Sequence, residues 1–259
     1  MNETIKTLLE HRSIRRYSNK DIDENILEQI LIAAIRGSTT GNIQPYSIII
    51  NRDQAMKDKI APFHFNQKAV IEAPVVLTFC VDYNRFLQWC KQRDADTDGF
   101  NNMQCFSWGI IDAVIATQNA CIAAESLGLG ICYMGTVTYH AKELSDIYKL
   151  PKNVVPVTCI TLGYPAEKTE LTDRLPLDAV IHHEFYHDYS PDNINKLYAE
   201  KENLDLTKKL LEENQLDNLA KVFTQKRYTK HDNEYFAKRF VDFLKEQNFF
   251  GDEIESILQ

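Results

Sequence analysis

The stretch that most constrains this chain runs from Ile110 to Gly130 and reads "IIDAVIATQNACIAAESLGLG". Its length and composition predict a helix, and it is apolar nearly all round. Such a helix must be covered on most of its surface, so it belongs at the centre of a fold or against a second subunit. Gly128 and Gly130 mark its C-terminal end.

The flanking segments predict the layers that cover it. Thr4 to Leu9 carries apolar residues at helical spacing. "DENILEQILIAAIRG" predicts a helix capped by Asp23, with Leu27, Ile30, Leu31, Ala34 and Ile35 as its apolar stripe and Gly37 at its end. Short helices are expected over "DQAMKDKIA", "YNRFLQWCKQR" and "AKELSDIYKL". Three segments predict strands: "YSIII", "PVVLTFCVD" and "VVPVTCITLGYP". Helices and strands mix without strict alternation, which predicts an α+β fold. "AEKTELTDRLPLDAVIHHEFY" reads as mostly extended. From His187 the chain turns polar and helical, so we expect a core over 1–186 and a helical excursion over 187–259 packing on the same domain.

Composition removes several function classes. A net charge of −8 over 259 residues argues against a nucleic-acid surface. Cys80, Cys90, Cys105, Cys121, Cys132 and Cys159 form no C-x-x-C and sit in apolar runs, as buried thiols of a reducing compartment do. We find no signal-peptide pattern and no apolar run expected to span a bilayer, and expect a cytoplasmic protein with no membrane partner. "GLGICYMG" follows a helix rather than a strand and is not a dinucleotide fingerprint. G-x-S-x-G is absent. His182 and His183 are adjacent, so an extended chain sends them to opposite sides, and no metal site is expected. With no nucleophile–base pair and no carboxylate pair, catalysis by this chain would fall to a cofactor.

One cluster runs against the acidic average. "HRSIRRY", from His11 to Tyr17, follows the first helix with three arginines, a histidine and a serine. Taken alone it would be a solvated helix end, yet arginine forks are the usual partners of a buried phosphate. "STTGNIQPY" is rich in short donors and acceptors, and Arg174 in "TDRLPL" offers another fork whose plain alternative is a surface ion pair.

Five segments occur together in an order that resembles the nitroreductase family of flavin enzymes: "HRSIRRY", "STTGNIQPYSIII", "NQKAVIEAPVVLTFCVDYNR", "AAESLGLGICYMG" and "LGYPAEKTELTDRLPLDAVIHHEFY". They are most similar to its NADPH-preferring branch, which includes oxygen-insensitive nitroreductases and flavin reductases of the P type. The resemblance implies a three-layer α+β sandwich with a mainly antiparallel sheet, in a homodimer with FMN at the interface. It implies FMN phosphate and ribityl contacts from His11, Arg12, Ser13 and Arg15, a flavin contact from Gln67, and contacts from Ser38, Thr39, Thr40 and Asn42 to the FMN held mainly by the other subunit. Tyr133, Met134, Gly135 and Thr136 would line the ring, and Arg174 would add a phosphate contact. The implied reaction carries hydride from NADPH or NADH through the flavin to a small acceptor such as a nitroaromatic, quinone or flavin, in ping-pong fashion. Alternatives are a dehalogenase- or dehydrogenase-like FMN enzyme of the same fold and a non-catalytic flavin-binding sensor. Two positions depart from the branch: Thr172 stands where a lysine is usual, and Thr136 stands where a glycine is usual, adding a side chain expected near the ring. Lys226, Arg227, Lys230, Lys238 and Arg239 are the tail candidates for the NADPH 2′-phosphate.

Overall fold

The computed structural model describes residues 1–251. Its helices are α1 Glu3–Leu9, α2 Glu24–Ala34, α3 Gln54–Ile60, α4 Lys68–Glu72, α5 Asn84–Lys91, α6 Met103–Ser126, α7 Ala141–Tyr148, α8 Pro191–Asn203, α9 Asp205–Asn214, α10 Leu219–Val222 and α11 Lys230–Glu246. Its strands are β1 Tyr46–Asn51, β2 Val75–Asp82, β3 Gly130–Met134 and β4 Val154–Gly163. They form one antiparallel sheet in the order β1-β2-β4-β3.

Both faces of the sheet are covered. Val75, Leu77 and Phe79 of β2, with Ile131, Ile160 and Leu162, pack against Leu27, Ile30 and Ala34 of α2 and Ala113, Ala116, Ala120 and Ala124 of α6. The alanines recur every three or four residues, so one smooth face of α6 lies against the sheet and α2. Val76, Cys132, Met134 and Cys159 point the other way, into Ile60, Ala69, Val70 and Leu144. This explains why β2 reads as an unbroken apolar run: all eight of its residues are buried, on alternating sides. The result is the expected three-layer α+β arrangement. Asp23 caps α2 as expected, its carboxylate accepting from the Asn25 N–H at 2.8 Å. The sequence reading missed β3 as a fourth strand.

α6 is buried on one side rather than all round. Ile111 is 54% and Val114 43% exposed, with Trp108 beside them, while the opposite face is core. Contrary to the sequence reading, α6 is long and apolar enough by length and composition to cross a membrane. Its alanine face is instead committed to the sheet.

Contacts divide the chain into two compact units. The first comprises Met1–Glu170 and the chain from Ala237 onward; the second is Leu171–Phe236. The division expected at 186/187 therefore falls inside the second unit. That unit holds α8 to α10. Ser190 caps α8 ahead of Pro191, and Lys201 Nζ lies 2.6 Å from Asp173.

Candidate functional site

The segment His11–Tyr17 is extended, not a helix end. Ser13 makes a parallel bridge to Ile131, and the Ile14 N–H donates to the Ile131 carbonyl at 2.8 Å. Two glycines make its seat. Gly130 and Gly163 pair across β3 and β4. A Cβ on Gly130 would lie 2.5 Å from Ile14, and one on Gly163 would lie 2.6 Å from the Tyr17 ring. Ile14 and Tyr17 thus drop onto the sheet where it has no side chains. The Tyr17 hydroxyl lies 2.6 Å from Thr161 Oγ1 and donates to the Ile14 carbonyl, and burial pushes it well above the usual phenol range.

Anchoring Ile14 and Tyr17 gives each basic side chain a different setting. His11 Nδ1 is 2.6 Å from Glu125 of α6, a carboxyl that burial raises and His11 pulls back. Arg12 donates to the carbonyls of Glu10 at 3.0 Å and Thr169 at 3.1 Å. Arg16 is ion-paired with Glu72 of α4 at 2.9 Å. Arg15 is exposed and has no carboxylate partner among the described residues; its polar neighbour is the Cys132 thiol. Burial raises that thiol and Arg15 opposes the rise. Ser13 is half-buried beside them.

At the far end of β3 the chain opens. Tyr133 is exposed, with its hydroxyl 3.4 Å from Gln118. Met134 is buried in the core. Gly135 is exposed, and a Cβ there would meet nothing within 4 Å. Its φ is not in the left-handed region either. Neither the backbone nor a neighbour within the chain requires glycine at 135. The Thr136 side chain, expected to project near the ring, is instead buried, with Oγ1 2.7 Å from His64 Nδ1. Gln67 follows His64 by three residues at the head of α4, and its half-buried side-chain amide has no hydrogen-bond partner among the described residues.

The 38–42 turn is tied to α6. Thr40 donates its N–H and hydroxyl to Asp112 at 3.0–3.1 Å. Asp112 is buried midway along the apolar helix, where Thr40 satisfies it. The Thr39 hydroxyl accepts from the Gln44 N–H at 3.0 Å, and Asn42, with φ 55, accepts from the Gln44 side chain. Ser38 is exposed.

Within the second unit, Arg174 folds back on its own loop. It donates to the Thr172 hydroxyl at 2.7 Å and to the Asp173 carbonyl at 2.9 Å. Among the tail bases, Arg227 stacks over Phe223, while Lys230 pairs with Glu234, Lys238 with Asp242 and Arg239 with Glu143. Lys226 shares the π-helical turn with Arg227. No local pattern signals His64, Glu125 or Cys132, whose partners lie far along the chain.

The family model described as "Nitroreductase family" matches residues 8–164. The chain belongs to the nitroreductase family. That match takes in His11–Tyr17, the 38–42 turn, Gln67 and β3 through Thr136, and stops before Arg174. Among curated nitroreductase relatives, the chain is similar to an FMN reductase [NAD(P)H] of Bacillus subtilis, at 37% identity over 72% of this chain and 75% of that one. It is similar to an oxygen-insensitive NADPH nitroreductase of Salmonella typhimurium at 36% identity, again over 72% and 75%. A crystal structure from Bacteroides fragilis matches with TM-score 0.93 at 44% identity, covering 95% of this chain and 99% of that one.

Proposed function

We propose that this nitroreductase-family chain is an FMN-dependent NAD(P)H oxidoreductase that acts as a homodimer on small acceptors such as nitroaromatics, quinones or free flavins. The observation that carries the reading is the asymmetry of β3. An arginine with no carboxylate partner among the described residues stands near its start, at Cys132, and an open glycine stands past its end, at Gly135. Three residue steps from Cys132 to Gly135 separate the two by about 10 Å. A phosphate monoester at one end and a planar ring at the other fit that pattern.

Arg15, with His11, Arg12 and Ser13, would hold the phosphate and ribityl chain. The backbone of Met134–Thr136 and the Gln67 amide would border the ring, since Gly135 leaves the space clear. Bound FMN supplies the two-electron exchange, accepting hydride from reduced nicotinamide and passing it to the acceptor. The chain contributes orientation and fixed dipoles, which stabilise negative charge near the ring. Arg174 is a further phosphate candidate, and Lys226 and Arg227 are candidates for a nicotinamide-nucleotide phosphate. The exposed apolar stripe Trp108, Ile111 and Val114 on α6 supports the homodimer, because a patch of that kind favours a covering partner. In a dimer, Ser38, Thr39, Thr40 and Asn42 would reach the flavin of the other subunit. All six cysteines are free and buried, which supports a reducing, cytoplasmic setting.

Steady-state oxidation of NADPH and NADH with a quinone or nitroaromatic acceptor tests the activity. The expected result is acceptor-dependent turnover with parallel double-reciprocal lines, the signature of one site serving both substrates in turn. Intersecting lines would contradict the shared site, and the absence of turnover with every acceptor class would contradict the enzyme reading.

A further inference from the structure

The His64–Thr136 contact links two segments that carry proposed flavin residues. His64 closes a 3-10 turn over Ala61–His64, and the chain then passes through two left-handed residues, Phe65 (φ 53) and Asn66 (φ 52), to Gln67. The Gln67 N–H donates back to the His64 carbonyl at 3.2 Å. On the other side, His64 Nδ1 meets the hydroxyl of Thr136, the residue next to Gly135. The His64 side chain is fully buried, and its Nε2 has no hydrogen-bond partner among the described residues. An unpaired buried N–H is rarer and costlier than an unpaired lone pair. The proton therefore sits on Nδ1, and His64 donates to Thr136 Oγ1. Burial, reinforced by the nearby His140, keeps the ring neutral, as this tautomer requires.

We infer that His64 is a positioning residue: by donating to the Thr136 hydroxyl it fixes the backbone at Gly135–Thr136 in register with Gln67, so that both sides of the ring site are held by one buried imidazole. This rests on the flavin reading of the site. Neither side chain touches the ligand in this role; Thr136 is turned inward, and what it presents is its backbone. The pair also accounts for a threonine where glycine is usual in the related branch. The hydroxyl gives His64 its acceptor, and without it a second ring nitrogen would be buried unpaired.

The test measures FMN dissociation constants by flavin fluorescence, together with the visible spectrum of the bound flavin, on the full chain. Thr136→Val removes the hydroxyl at nearly constant shape, and His64→Leu removes the donor. Thr136→Ser and His64→Asn each keep a partner at the same position. Loss of one buried hydrogen bond in register with the site corresponds to about a tenfold weakening. Thr136→Val and His64→Leu are each expected to weaken FMN binding about tenfold and to alter the flavin band. The double variant should be no weaker than either single, while Thr136→Ser and His64→Asn should stay within about threefold of the parent. Unchanged affinity and spectrum in Thr136→Val, or effects that multiply in the double variant, would overturn the positioning role while leaving the flavin site intact. If His64→Leu fails to fold, Thr136→Val against Thr136→Ser decides the matter. If the parent chain itself takes up no FMN, the flavin reading fails and this inference fails with it.

Discussion

Replacing Arg15 by methionine is expected to weaken FMN binding by about 10- to 100-fold while leaving the thermal midpoint of the flavin-free protein within a degree or two. The size follows from charge-assisted hydrogen bonds to phosphate, each about 1.5–3 kcal/mol, where 1.4 kcal/mol is tenfold. The unchanged stability follows from exposure: Arg15 has no carboxylate partner among the described residues, so its loss strands no buried charge. Arg16→Gln is the matched control. Its guanidinium is already paired with Glu72 and half-exposed, so its removal should change FMN affinity less than about threefold. Flavin titrations of the two variants test whether Arg15, and not Arg16, holds the phosphate. Equal losses in both would mean that general positive charge, not one placed fork, holds the phosphate.

The second large effect is acid sensitivity centred on His64. Burial, then the field of His140, lowers this imidazole from the ordinary 6.5 to about 4. Between those values the unfolded chain takes up a proton that the native state refuses. Native stability must therefore fall as pH drops through about 6.5 and stop falling from this source near 4. The full span corresponds to about 3 kcal/mol, at about 1.4 kcal/mol for each pH unit. His140, lowered mainly by its burial, contributes in the same direction. Glu125, raised mainly by its burial, opposes, because its native carboxyl holds a proton to higher pH than the unfolded one. The contribution of His64 is isolated by comparing urea unfolding of the parent and His64→Asn at pH 7.5 and 4.5, at fixed protein and flavin concentrations. The parent should lose more stability than the variant by about 2–3 kcal/mol. Equal losses would place the proton elsewhere.

Much of the core was legible because its signals are local. Asp23 announces α2, the unbroken run Val75–Asp82 announces a strand covered on both faces, and the alanine-rich stretch after Ile110 announces the central helix. What stayed hidden depends on partners far apart in sequence. His11–Tyr17 looks like a helix end until Gly130 and Gly163, more than a hundred residues away, are seen to leave room for Ile14 and Tyr17. β3 is short and lies between β4 and this extended segment, so it lacks the long alternation that marks a strand. His64 sits in a turn with no periodic pattern, and its meaning comes only from Thr136, 72 positions on. The same holds for Thr40 and Asp112, also 72 apart. The family resemblance supplied the candidate residues at the site; the structure supplied their differences, such as the inward turn of Thr136 and the distinct settings of Arg15 and Arg16.

The most direct test of the central claim is the visible spectrum and flavin content of the purified protein, before and after titration with FMN. The account predicts a yellow protein that binds one FMN per chain, releases it on denaturation, and loses its colour when NADPH or NADH is added without oxygen. A colourless protein that takes up no added FMN would contradict it, and the cationic start and open end of β3 would then need another ligand.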